Sequence, residues 1–382
     1  MTDVVSGSPE RPRRHLTQVV ERACDILTLL RGSQQPLKLS EVCVSVGLSP
    51  STAFRILDTL CAKGLVEHSR RRGYIAGNLA TSERRLRLGY AGQSSEFAFS
   101  RTTAYSLEHA ARAAHIELLI VNNRFSRTVA LKNADYFVRQ RVDLVIEFQT
   151  FVEIAPLLAA KYHDAGIPMI AVEIPHPGAT YYGADNYRAG RIGGSYLGKW
   201  AKQHWSGRLD QILLLEQSAA GALPQSRLTG TLDGIMAALP HVAHAKVVYI
   251  EGHGQFHASL AAVRKHLSRT PPGNTLIAAV NDPSAIGALR AFDEAGRTCE
   301  YVAVSQNASE EAREEMRRPG TRLIGSVAYF PENYGAEIIA LALDILHHKP
   351  VPPAVFTRHH LITPENVDHF YATDAVPAAI VP

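Results

Sequence analysis

The sequence predicts an α/β chain: an N-terminal winged helix-turn-helix followed by a two-lobed body of doubly wound parallel sheets. Three observations predict it. Two short helical runs parted by Gly47-Leu48 lead into an alternating hairpin pattern before residue 78. From residue 86 onward, continuous apolar strand runs alternate with amphipathic helices. Nine such strand runs exceed one sheet of ordinary size, so the body divides into two lobes.

The length of 382 residues suits two or three domains. Hydrophobic residues at 46% and charged residues at 20% are a globular balance, and no apolar run is long enough to span a membrane. The N-terminal run has no apolar core and no small-residue cleavage site, so a cytoplasmic location without a secretory signal is expected. Cys24, Cys43, Cys61 and Cys299 have no CxxC spacing, and the first three fall at apolar helix positions, as buried free thiols would. The net charge of +4 is uneven. Residues 1–90 carry 14 Lys/Arg against 8 Asp/Glu, while the rest carries 26 against 28. A basic front on a near-neutral body fits a polyanion-binding module.

Residues 1–15 are polar with three arginines and read as a disordered basic tail. Residues 16–77 form the winged module. Val19, Val20, Ala23, Ile26, Leu27 and Leu30 make one helical stripe stopped by Gly32. Ser40 is the expected N-cap of a second helix ended by Gly47. Ser49 caps a third, with Pro50 in its first turn, running to Gly64. That third helix would enter a major groove by its N-terminal end. Ser51, Thr52 and Arg55 lie on its exposed side, and Ala53, Phe54, Ile56, Leu57 and Leu60 supply the core. The hairpin that follows carries Arg70, Arg71 and Arg72 at its tip, where arginines lie along phosphates or reach a minor groove. A helical-hairpin interaction domain with a solvated basic loop is the plainer alternative. The stretches V-V-E-R-A-C-D-I-L-T-L-L, L-K-L-S-E-V-C-V-S-V-G-L-S-P-S-T-A-F-R-I-L-D-T-L-C-A-K-G-L-V-E and G-Y-I-A-G resemble the winged helix-turn-helix of the IclR family, as far as Gly77. The resemblance implies DNA binding through Ser49, Ser51, Thr52, Arg55 and the arginine tip.

Residues 78–85 read as a linker, and residues 86–382 as the sensor. Strands are expected at 86–91, 117–121, 144–148, 169–173, 211–216, 246–251, 275–280, 301–305 and 323–328. Expected helices include 101–114, 152–165, 188–204, 226–238, 256–268, 283–295 and 332–347. The segments Y-G-A-D-N-Y-R-A-G, A-A-V-N-D-P-S-A-I-G-A-L-R-A, G-S-V-A-Y-F-P-E-N-Y-G and I-T-P-E-N-V-D resemble the type I periplasmic-binding-protein-like domain of ribose-binding proteins and LacI-type repressors. The resemblance implies lobe 1 at about 86–186 and 330–357, lobe 2 at about 187–329 and 358–382, and crossings near Asn186, Phe330 and Arg358. It also implies a ligand cleft at Ser95, Phe97, Phe99, Glu147, Gln149, Glu173, Asp185, Arg227, Phe256, Asn281, Asp282, Gln306 and Tyr329. Carboxylates and amides suit vicinal hydroxyls, and aromatics suit sugar ring faces. Four carboxylates against Arg227 would make the cleft acidic, which suits an amino sugar or other cation as well as a neutral sugar.

The run G-G-S-Y-L-G-K-W at 193–200 nearly spells a phosphate-binding loop, but Trp200 replaces the Mg²⁺-binding hydroxyl and the run falls within a helix. Small residues for close packing on the sheet are the better reading. The histidine pairs lack a metalloprotease pattern, and no nucleophile–base order stands out. No cofactor is expected. The expected protein is a one-component regulator, not an enzyme. Its partners are double-stranded operator DNA and a sugar, amino sugar or polyol effector, and it forms a homodimer or tetramer off the membrane. An uptake binding protein, or an enzyme using the same cleft, is the alternative.

Overall fold

A computed structural model describes residues 17–33, 35–69, 73–76, 85–240, 245–297 and 300–375. The chain divides after Arg85 into two compact units. The expected basic tail, the arginine tip at 70–72, nearly all of the linker and Cys299 lie outside the described residues.

In the first unit, α1 (Gln18–Gly32), α2 (Leu39–Val46) and α3 (Pro50–Ala62) pack around Ile26, Leu30, Val42, Leu57 and Leu60. Strands β1 (Val66–Ser69) and β2 (Gly73–Ala76) pair antiparallel. Leu37 and Tyr74 exchange two backbone hydrogen bonds of 2.7 Å, tying the hairpin to the segment before α2. Gly47 closes α2 in the left-handed conformation, φ +63°. A side chain there would be strained, which is why this turn takes glycine. Helix α2 begins two residues earlier than expected. Lys38 is its N-cap, and the Glu41 carboxylate accepts the Lys38 N–H at 2.6 Å, so Ser40 has no capping role. Val19 and Val20 stand exposed, because only the later turns of α1 meet α2 and α3. Cys24 is also exposed, contrary to expectation, whereas Cys43 is buried and Cys61 partly so.

The body holds two six-stranded sheets among the described residues. Lobe 1 runs β3 (Arg87–Gly92), α4 (Ala98–Ala113), β4 (Glu117–Asn122), α5 (Arg127–Gln140), β5 (Leu144–Glu147), α6 (Ala155–Asp164), β6 (Met169–Val172) and β7 (Thr180–Gly183). The chain then crosses to lobe 2. There it forms α7 (Asn186–Trp205), β8 (Gln211–Glu216), α8 (Ala222–Ala238), β9 (Lys246–Glu251), α9 (Phe256–Leu267), β10 (Thr275–Ala279), α10 (Asp282–Glu294), β11 (Tyr301–Asn307), α11 (Glu310–Arg317) and β12 (Leu323–Ala328). It returns to lobe 1 for α12 (Pro331–Leu346) and β13 (Ala354–Phe356), and crosses last to β14 (His360–Ile362).

The sheet orders are β13-β7-β6-β5-β3-β4 and β14-β12-β11-β10-β8-β9. All pairings are parallel except β12 with β14. Each sheet is covered on both faces. In lobe 1, Leu88, Tyr90 and Ile146 pack toward α4 and α12, and Ala91 and Val145 toward α5 and α6. Burial on both faces makes the strands continuously apolar. Both sheets reverse direction of winding beside their first strand, between β3 and β5 and between β8 and β10. Ligands in open α/β sheets bind beyond the strand ends at such a point.

The sequence missed α5, α11 and the short strands β7, β13 and β14. Helix α5 buries mainly Ala130, Ala134 and Phe137, and α11 only Ala312 and Met316, so neither carries a strong apolar stripe. The glycines of 190–198 were expected to bring their helix onto the sheet. Gly193 does face Val304 and Val327, but Gly190, Gly194 and Gly198 press α7 against α8, and Gly230 and Gly234 answer from the other side.

Candidate functional site

On α3, Ala53, Ile56, Leu57 and Leu60 face the core. The opposite stripe is Ser51, Phe54, Arg55, Asp58 and Thr59, all exposed. Phe54 was expected in the core and is instead 50% exposed, because it sits roughly 100° around the helix from Ala53. Ser49 caps the helix by accepting the Thr52 N–H, and its hydroxyl also meets Thr52 Oγ1 at 2.9 Å and Ser51 Oγ at 3.2 Å. Ser49 and Thr52 therefore build the helix start, and Ser51 and Arg55 stand outward. Arg70, Arg71 and Arg72 fall outside the described residues.

In the body, one cavity lies between the lobes at both reversal points. It encloses about 720 Å³ of space between atoms, open solvent at its mouth included. From lobe 1 it is lined by Gln93, Phe97 and Phe99 after β3, Phe125 after β4, and Phe148 and Thr150 after β5. From lobe 2 come Gln217 after β8, Arg227 on α8, Asn281 after β10, Asn307 at the end of β11, Ser309 after it and Glu311 on α11. The aromatic wall is mutually braced: Phe97 meets Phe125 edge-on at 5.6 Å, and Phe99 meets Phe148 at 6.1 Å. Gln93 donates to Thr150 Oγ1 at 2.5 Å. Asn281 caps α10 by accepting the Ser284 N–H, and its amide donates to the Gly254 carbonyl at 2.9 Å.

Arg227 and Glu173 join the lobes. The guanidinium donates from Nη2 to Glu173 Oε2 at 2.9 Å, from Nη1 to the Val280 carbonyl at 2.9 Å, and from Nε to Asn186 Oδ1 at 2.5 Å. It also lies 5.0 Å from the Tyr329 ring. Tyr334 donates to the other Glu173 oxygen at 2.6 Å. Burial pushes the Glu173 carboxyl up from the ordinary carboxylate range, against the opposing pull of Arg227 and Tyr334. The backbone of Glu173 is held at φ +61°, which aims its side chain across the cleft.

Of the expected ligand residues, Phe97, Phe99, Glu173, Arg227 and Asn281 line the cavity. The others do not. Ser95 accepts from Asn122 at 2.8 Å on the surface. Glu147 is fully buried beneath the cleft, accepting from Asn123 at 2.9 Å and Tyr162 at 3.0 Å, because alternation turns it toward α6. Gln149 accepts the Phe151 N–H and meets His176, holding its own loop. Asp185 caps α7 through the Arg188 N–H. Phe256 opens α9 and packs against the core of lobe 2. Asp282 is fully buried and accepts from Ser305, Ser326 and the Ser309 N–H, pinning α10 to the sheet. Tyr329 donates to Gln306 at 2.9 Å, and both are buried at the crossing. Of the four carboxylates expected in the cleft, two are sequestered, one caps a helix and the fourth is paired; the carboxylate that lines the cavity beside Glu173 is Glu311.

Burial without a cation raises the Glu147 carboxyl to about 7. A folded value above the unfolded one means stability that is complete below the unfolded value and is lost as pH rises through the folded one. The body is expected to lose on the order of 2 kcal/mol between pH 5 and 8 from this group alone. Glu147→Gln, whose oxygen can still accept from Asn123 and whose amide can donate to the Tyr162 oxygen, is expected to flatten the profile of melting temperature against pH.

Two family models match. The IclR helix-turn-helix domain matches residues 19–70. The periplasmic binding protein domain matches residues 89–350, well over half of the chain. The chain belongs to the periplasmic binding protein family. Its first unit is an IclR-type helix-turn-helix fused to that binding-protein body, and neither matching family is one of enzymes. Similar solved structures include a Mycobacterium smegmatis protein in complex with β-D-fucofuranose. It is 22% identical, with TM-score 0.65, covering 74% of this chain and 93% of that one. A transporter solute-binding protein from Actinobacillus succinogenes with bound D-allose is 18% identical, with TM-score 0.64 over 74% and 99%. Another, from Bacillus halodurans with bound myo-inositol, is 19% identical, with TM-score 0.63 over 75% and 98%. At these identities the likeness is one of fold. No curated protein matches. No helix among the described residues is long and apolar enough to cross a membrane.

Sequence reasoning did not find Gln93, Phe125, Thr150, Gln217, Asn307 or Ser309 in this binding-protein body. All sit at or just past strand ends, and two of them carry a backbone signal that no local pattern shows: Phe125 and Asn307 are at φ +50° and +104°.

Proposed function

We propose that the protein is a ligand-responsive DNA-binding transcriptional regulator whose body senses a neutral sugar or polyol. The observation that carries the ligand class is the Glu173–Arg227 pair. Each satisfies the other's charge, so the cavity offers a ligand amides, hydroxyls and phenylalanines, together with Glu311, whose carboxylate lies 4.0 Å from Arg101. Amides and hydroxyls give directional bonds to hydroxyl groups, and phenylalanine faces cover the apolar side of a ring. The solved structures holding a furanose, an aldose and an inositol support this class. An amino sugar or other cation would have to draw Glu311 away from Arg101, 4.0 Å from it. The proposed DNA contacts are Ser49, Ser51, Thr52, Arg55 and the arginines of the hairpin tip. Closure of the cleft would shift the two lobes and, in a homodimer or tetramer, the spacing of paired recognition helices.

Gel retardation on the DNA upstream of its own gene tests the regulator, across a salt series. A sequence-specific shift that a sugar or polyol alters is expected; no specific shift at any salt would sink the proposal. Arg55→Ala is expected to lose about 1–3 kcal/mol of base discrimination, while Arg71→Ala weakens binding to all sequences and lowers the salt slope. A thermal-shift series with D-allose, myo-inositol and glucosamine tests the ligand class. A neutral compound at one hundred times its dissociation constant should add roughly 2.7 kcal/mol of stability. A response to glucosamine alone would favour a cationic ligand, and turnover of any of them an enzyme.

A further inference from the structure

The exposed stripe of α3 contains a residue that neither the core nor the helix start uses. Phe54 is half exposed, one turn from Ser51 and next to Arg55, with Asp58 and Thr59 continuing the same face. An exposed phenylalanine on a small module costs solubility and adds nothing to its core. Its neighbours say what it faces. The module and its flanks carry 14 Lys/Arg against 8 Asp/Glu over residues 1–90, so the partner is polyanionic. The stripe begins at the N-terminal end of the second helix of a helix-turn-helix, the part that reaches base edges. A phenyl ring has no hydrogen bond to offer there. The apolar group that a base pair presents in the major groove is the C5-methyl of thymine.

We infer that Phe54 is a specificity-determining residue that packs against a thymine methyl in the major groove, beside the base or phosphate taken by Arg55. This rests on the DNA-binding reading above and adds a chemical requirement to it: one position of each half-site must carry a pyrimidine 5-methyl group. Burying one methyl corresponds to an affinity change of about four-fold.

The test uses the full-length chain and a duplex that it selects from a random pool. Each thymine of the selected duplex is replaced singly by deoxyuridine, which removes the methyl and keeps the base pairing. Wild type is expected to lose about four-fold in affinity at one thymine per half-site. Phe54→Ala is expected to bind thymine and uracil equally at that position, and Phe54→Leu to keep part of the difference. The side chain is half exposed, so neither variant should disturb the fold, which circular dichroism checks. A wild-type chain indifferent to uracil at every position would overturn the inference while leaving DNA binding intact. So would a Phe54→Ala variant with an unchanged uracil penalty. A pool yielding no selected sequence would overturn the regulator reading itself and this inference with it.

Discussion

Arg227→Met is expected to destabilise the body by about 3–5 kcal/mol, and adding Glu173→Gln to restore much of the loss. The reason lies in what is left behind. Arg227 and Glu173 are both buried, and the guanidinium supplies the carboxylate with its counter-charge and one of its strong hydrogen bonds. Methionine fills the aliphatic space of arginine but leaves the carboxylate with Tyr334 and a backbone N–H as its remaining donors. Removing one member of a buried pair costs more than removing both, because the remaining charge stays desolvated. The deficit should grow with pH. Without the guanidinium the Glu173 carboxyl rises further above its unfolded value, and stability is lost as pH rises through the folded value. Urea unfolding of the wild type, both single variants and the double variant, at pH 5 and pH 8, gives the coupling. Additive single effects at both pH values would show that the pair does not join the lobes. The same double variant, if folded, should bind the neutral ligand with altered affinity, since both residues line the cavity.

Gly194→Val is expected to cost more than about 3 kcal/mol, and Gly190→Ala and Gly194→Ala to destabilise rather than stabilise. In an exposed helix, glycine to alanine gains up to about 1 kcal/mol. Here the sign reverses, because a methyl at Gly190 would be driven into the Arg227 carbonyl and one at Gly194 into the Thr231 carbonyl. Neither obstacle is a flexible side chain. Helices α7 and α8 would have to separate along their contact, opening the core around Leu197, Leu228 and Ile235. Gly32→Ala is the control: nothing lies within 4 Å of a methyl there, and a neutral or small stabilising change is expected. Thermal unfolding of the four variants separates packing from propensity. A gain in stability at Gly194→Ala would contradict the close approach of the helices. The effect also bears on the cleft, since Arg227 stands on α8 at the point where Gly190 meets it.

Most of the helix-turn-helix was legible in the sequence. Ser49, Pro50 and Gly47 act through bonds within a few residues, so their roles can be read from order alone. The placement of Phe54 was not legible, because a residue at the margin of a stripe is turned in or out by how closely α1 and α2 approach. Strand runs in the body were equally plain, since burial on both faces makes each one apolar throughout. Helix α5 hid behind alanines, and the strands of three or four residues behind their length.

The cleft divides along the same line. The sequence by itself determined that carboxylates, amides and aromatics cluster at strand ends, and that the chain would double back between two sheets. Only the tertiary structure decided which of those groups meet a ligand. Glu147 and Asp282 follow apolar strands and look free, yet one is turned beneath the sheet by strand alternation and the other is held by three donors from separate elements. Glu173 and Arg227 lie more than fifty residues apart, and their pairing follows from how lobe 2 is set against lobe 1. Charge balance in a cleft is a property of distances between segments, and a linear sequence carries residue types without those distances.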